Sequence, residues 1–167
     1  MWKLRLRGDD GRYLALVARQ LFSVIFIIAS AGHFTSGTIA LAAKHGVPFA
    51  SLLVPLSGLI ALAGGLSVLF GYRARIGGAL LVLFLVPVTF TMHNFWAAAD
   101  TATFRLELVL FLRNMMLLAC ALLVTRAGAG PLSLDAAMEN RAIEADTAAY
   151  AASIRCGRAH RVLPRSR

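Results

Sequence analysis

FASLLVPLSGLIALAGGLSVLFGYRARIGGALLVLFLVPVTFTMHNFW, residues Phe49–Trp96, holds two apolar runs, Phe49–Phe70 and Ile76–Trp96, parted only by Gly-Tyr-Arg-Ala-Arg. A bilayer's hydrocarbon core is roughly 30 Å thick and takes about 20 helical residues to cross, and each run is close to that length. Five intervening residues allow only an antiparallel return. Working outward, Leu14–Phe34 and Leu106–Thr125 have the same character, and the four stretches occupy about half of the chain. The pattern predicts an all-α polytopic membrane protein, an up-down bundle of four transmembrane helices.

Of the 167 residues, 59% are hydrophobic and 15% charged, an excess that no single domain of this size can hide in its own interior. The formal charge of +9 would suggest nucleic acid for a soluble chain, but here the basic residues sort by position. Lys3, Arg5, Arg7, Arg12 and Arg19 precede or begin span one, Arg73 and Arg75 separate spans two and three, and Arg126, Arg141, Arg155, Arg158, Arg161, Arg165 and Arg167 follow span four. Only Lys44, Arg105 and Arg113 fall elsewhere. The positive-inside rule then places both termini in the cytoplasm, in a bacterial inner membrane, with lipid as the first partner and nucleic acid excluded.

Residues 1–12 read as a basic amphipathic segment with a turn at Gly8–Gly11, residues 13–135 as the membrane domain, and 136–167 as a surface helix followed from Arg155 by a disordered basic tail. Leu21–Ile28 followed by Ala29-Ser30-Ala31 imitates a secretory signal. Its removal would leave three crossings and oppose the charge distribution, so the helix is read as retained. Arg19 is expected to snorkel to headgroups, and Thr35–Pro48 to form a loop. Ser57, Ala61 and Gly65 form a small-residue stripe where helices should meet, and Pro55 and Pro87 are tolerated within their spans.

Charge inside a membrane helix costs about 2.5–3.5 kcal/mol on insertion scales, so Arg113 calls for a compensating contact. Counting from Arg105, it lies about 12 Å inside span four, and Glu107 is roughly 120° away around the same helix. His33, His93, Asn94 and Glu107 all fall toward the outer end. A polar pocket of His33, His93, Asn94, Glu107 and Arg113, open to the outer leaflet, is therefore expected. Helix-end histidines and asparagines that simply meet headgroups are the competing reading. No phosphate loop, HExxH spacing or Ser-His-Asp order is present, and no metal site is expected. Cys120 and Cys156 offer neither a CxxC pair nor a disulfide framework. No cofactor is evident from motifs; a quinone would suit the pocket, and four scattered histidines do not specify haem.

Ala31-Gly32-His33-Phe34, Gly46-Val47-Pro48, Gly64-Gly65 with Gly71, His93-Asn94-Phe95-Trp96, Phe111-Leu112-Arg113-Asn114 and Gly128–Asp135 occur in that order. Over residues 13–135 this resembles the DoxX family of small four-helix bacterial membrane proteins. In many relatives a glutamate stands where Ala61 does here, and often a lysine where Arg113 does. Some members resemble a subunit of thiosulfate:quinone oxidoreductase and others a component of redox-stress complexes, so the resemblance implies a redox-linked role. Two functions are expected: a quinone-linked or accessory subunit of a membrane redox complex, its pocket taking a quinone or small anion, or a non-enzymatic scaffold binding other membrane subunits. A permease is disfavoured by the absence of a midplane acid. The chain has no self-sufficient catalytic set, so enzyme activity stays open.

Overall fold

The computed structural model describes residues 8–162, and no strand occurs among them. Six helices, α1 (Gly8–Gly32), α2 (Ser36–Lys44), α3 (Ala50–Phe70), α4 (Ala74–Met92), α5 (Thr101–Ala127) and α6 (Leu134–Val162), are joined by short links and one 3-10 turn at Phe95–Ala97. Four segments, Gly11–Gly32, Ala50–Phe70, Ala74–Ala97 and Thr101–Ala127, are long and apolar enough to cross a membrane. Ile28, Leu52 and Leu123 are 67–70% exposed on their outer faces. Such side chains need hydrocarbon around them, and the molecule is an integral membrane protein.

The helices run up and down. Gly71 lies against Arg19, Gly65 against Phe26 and Ile27, and Gly58 against His33, so α1 and α3 are antiparallel neighbours. Gly64 meets Gly77 and Leu81 across α3 and α4, and Gly78 meets Ala121 and Thr125 across α4 and α5. The core between them is small: Phe26, Ala61, Val68, Leu81, Phe84, Leu85 and Ala121. Lipid provides no hydrophobic drive for helix association, so close backbone approach at small residues supplies packing contact instead. Of the expected stripe, Ala61 and Gly65 are buried, whereas Ser57 is half-buried and donates to the Val54 carbonyl at 2.7 Å. The tightest crossings also use Gly58, Gly64, Gly77 and Gly78, which the stripe omitted. Pro55 and Pro87 lie inside α3 and α4 as expected.

The start of α6 and the N-terminal part of α1 lie at one end of the bundle. Arg19, Gly71, Arg73, Ala129 and Asp135 gather there, at the basic end, while His93 and Glu107 lie at the other, the histidine end. Several local expectations change. Gly8–Gly11 begins α1 rather than forming a turn, because the helix extends beyond the apolar run. Thr35–Pro48 contains α2, whose Ala42 packs with Ala50 and Val54 of α3. Thr35 caps it, accepting the Thr38 amide at 3.4 Å. The backbone stays helical from Arg155 to Val162 where a disordered tail was expected. Residues 1–7 and 163–167, with most of the basic N-terminal segment and the last of the tail, lie outside the described residues.

Asp100 opens α5 by accepting from the Ala102 and Thr103 amides and the Thr103 hydroxyl, at 2.7–2.9 Å. These bonds, the hydroxyl's foremost, lower its pKa below the ordinary 3.8. The folded state thus favours the carboxylate, and the cap's contribution is full above that value and lost as pH falls through the lower folded one. Thermal melting in detergent should therefore show a loss from pH 5 to pH 2 that Asp100→Asn reduces by a small amount; identical pH dependence in the variant would refute this role.

Candidate functional site

Residue His93 ends α4, its backbone N–H bonded to the Thr89 carbonyl, and its Nδ1 lies 2.9 Å from Glu107 Oε2 on α5. The two side chains are 15% and 20% exposed. In a neutral imidazole, Nδ1–H would donate to the carboxylate and leave Nε2 an acceptor; protonated, Nε2–H becomes a second donor. The pair can therefore pass a proton to a group placed at Nε2.

Aromatic rings stand beside it. Phe104, Glu107 and Phe111 follow at helical spacing along α5, and Phe111 packs against Phe90, Phe95 and Trp96 with centroids 5.2–6.2 Å apart. Phe95 also meets Trp96 and Phe104 at 5.1 and 5.8 Å, nearly edge to face. This wall suits a flat apolar ring system.

The rest of the expected pocket does not assemble. His33 sits against α3 and α4, its Nδ1 donating to the Ala29 carbonyl at 3.0 Å and its ring 5.4 Å from Phe84. Phe84 precedes His93 by nine residues, so the two histidines are about 13 Å apart along the bundle. Because α2 takes over at the histidine end, α1 stops short of it. Arg113 is exposed on α5, six residues or about 9 Å from Glu107, and among the described residues donates only to Asn114 Oδ1, at 3.4 Å. Asn114 itself is 4% exposed and faces inward, which turns its neighbour about 100° away. Asn94 is half-buried and its carbonyl accepts from the Ala97 amide at 2.9 Å. Of five expected residues, the structure brings His93 and Glu107 together.

A second polar cluster, at the basic end, was not foreseen. Arg19 does not snorkel to headgroups: it is 7% exposed, and its two terminal nitrogens donate to the Ala129 and Leu132 carbonyls at 2.6 and 2.8 Å. Positive φ at Gly128 and Gly130 folds that linker back over α1. Asp135 then accepts the amides of Arg73 and Ala74 at 2.7 and 3.0 Å, capping α4 from a distant part of the chain. Arg73 has φ 48, a strained value for a residue with a side chain, and Asp135 helps hold it. The only sequence hints were Arg19's depth and the glycines before Asp135. Among the described residues, no group of three metal-ligating side chains occurs.

Four apolar crossings, glycine-mediated contacts and a polar pair at one end define a small polytopic membrane protein. The DoxX family profile matches residues 14–94, covering α1 to α4 and both His33 and His93 but not Glu107 or Arg113. Inner membrane protein YqjF of Escherichia coli (strain K12) is 30% identical over 122 residues, 72% of this chain and 88% of that relative. The chain belongs to the DoxX family. No solved structure matches it.

Proposed function

We propose that the protein is a quinone-facing accessory subunit of a redox complex in the bacterial cytoplasmic membrane, with both termini inside and the histidine end outside. The His93–Glu107 contact beside the Phe90, Phe95, Trp96, Phe104 and Phe111 rings carries the reading. A quinone ring would lie against the aromatic wall, with one carbonyl oxygen accepting from protonated His93 Nε2. Reduction to the quinol takes two electrons and two protons. Here the partner subunit supplies both electrons, and His93 passes the two protons in turn, the imidazole being reprotonated between them by water at the outer rim with Glu107 stabilising the imidazolium.

Arg113 serves the partner rather than the quinone. An exposed guanidinium about 9 Å along α5 from Glu107 lacks a solvated anion at that depth, and an acidic or polar residue of another membrane subunit would neutralise it. The scaffold reading thus becomes part of the same proposal.

Trp96 is a built-in reporter. In a Trp2→Phe background, decylubiquinone should quench its fluorescence saturably, and His93→Ala and Glu107→Gln should each weaken binding about tenfold, the cost of one charge-assisted hydrogen bond. Arg113→Gln should leave that affinity unchanged and release the co-purifying subunit. Unaltered quinone affinity in both pair variants would remove the site from the proposal.

A further inference from the structure

An open cleft of about 620 Å³ lies at the basic end, between the first turn of α4, the Gly128–Ser133 linker and the start of α6. Its polar lining is Arg73, Arg75, Ser133, Asp135 and Glu139, with Ile76 as an apolar floor. The volume falls within the usual range of small-molecule sites, about 300–1,000 Å³.

Its charges are not equivalent. Asp135 is committed, since both carboxylate oxygens already hold backbone amides of the α4 start. The Ser133 hydroxyl is occupied too, donating to the Gly130 carbonyl at 2.7 Å. Neither Arg73 nor Arg75 forms an ion pair among the described residues; Arg73 lies over the Tyr72 ring, 5.8 Å from its centroid. Arg75 Nε passes the linker at Gly128, where a Cβ would lie 3.6 Å away. Glu139, one helical turn beyond Asp135 on the same face of α6, is likewise free of an ion pair among those residues. Two available guanidiniums with one available carboxylate fit an anion that carries a hydrogen-bond donor.

Depth selects the source of that anion. The 19 residues of α4 span about 28 Å, close to the hydrocarbon thickness, so its first turn reaches headgroup level while Ile76 lies at the edge of the acyl region. We infer that this cleft binds the headgroup of a membrane phospholipid, with its phosphate on Arg73 and Arg75 and a terminal ammonium or hydroxyl donating to Glu139. Guanidinium forks suit phosphate oxygens, and partial withdrawal from water strengthens the contact. The inference does not rest on the quinone reading.

Native mass spectrometry of the full chain released from dodecyl maltoside micelles tests it. With added phosphatidylethanolamine, phosphatidylcholine or diacylglycerol, the first should be retained most strongly and the last, which lacks phosphate, not at all. Arg73→Gln with Arg75→Gln should reduce phospholipid retention about tenfold, a loss typical of charge-assisted contacts, while circular dichroism stays unchanged because neither guanidinium holds the fold. Glu139→Ala, which removes the acceptor altogether, should erase the preference for phosphatidylethanolamine over phosphatidylcholine, whose headgroup has no N–H or O–H. Equal retention by wild type and the double arginine variant would overturn the site, as would diacylglycerol binding as well as phospholipid. Inorganic phosphate binding to the cleft while phospholipid does not would overturn the lipid source.

Discussion

Replacing Arg19 with methionine should destabilise the bundle by about 2–4 kcal/mol, because two charge-assisted hydrogen bonds vanish and a buried and a part-buried acceptor remain. The Ala129 and Leu132 carbonyls, now 2.6 and 2.8 Å from the guanidinium, would lose a partner that is itself 7% exposed. Part of the loss is offset, since Arg19 Nε is itself buried without a partner among the described residues. Arg19→Lys should fall between, because an ammonium on a shorter reach serves one carbonyl better than two. The linker is the first region to loosen. Midpoints of unfolding by sodium dodecyl sulfate, together with protease cleavage between Gly128 and Ser133, measure both effects. An Arg19→Met variant with the wild-type midpoint and an uncut linker would show that the cluster contributes nothing.

Leucine at Gly78 should do more damage still. A Cβ there would lie 2.6 Å from the Thr125 hydroxyl, 2.9 Å from the Thr125 amide nitrogen and 3.1 Å from the Ala121 carbonyl. Two of the three obstacles are backbone, so α5 must move as a body. Overpacking by a single methyl costs about 1–3 kcal/mol, and the remaining three carbons of leucine would separate α4 from α5. The His93–Glu107 contact joins those same two helices, so the quinone response of Trp96 should disappear with the packing. Gly32→Ala is the control, since nothing lies within 4 Å of the position where its Cβ would stand. Equal detergent unfolding midpoints for Gly78→Leu and Gly32→Ala would contradict the crossing described.

How far the candidate site was legible depends on sequence separation. His93 and Glu107 are 14 residues apart on consecutive antiparallel helices, and short connections leave such neighbours little choice of partner. The pairing of helix ends was therefore readable. Arg113 was misplaced because periodicity relates it to Glu107 on one helix but does not say which face meets α4; the buried Asn114 settles that. His33 was misplaced for a different reason. With glycines at 37 and 46 and a Gly-Val-Pro turn, the link reads as a loop, and only the packing of Ala42 on Ala50 and Val54 reveals α2 and the early end of α1.

Arg19 and Asp135 show the limit most clearly. Over a hundred residues part Arg19 from the carbonyls it serves, and carbonyls carry no sequence signature at all. Gly58, Gly64, Gly77 and Gly78 were visible as glycines, yet which helix each would meet depends on rotation of helices that are apolar nearly all round.

By itself the sequence determined the solvent, the number of crossings and the gathering of basic residues at one end, because transfer into hydrocarbon depends on composition and length, which are local properties. Helix rotation, the glycine contacts, the burial of Arg19 and the cleft between α4 and α6 were decided only in three dimensions. Close packing and hydrogen bonding act over a few ångströms between residues far apart in the chain, and no spacing along it encodes them.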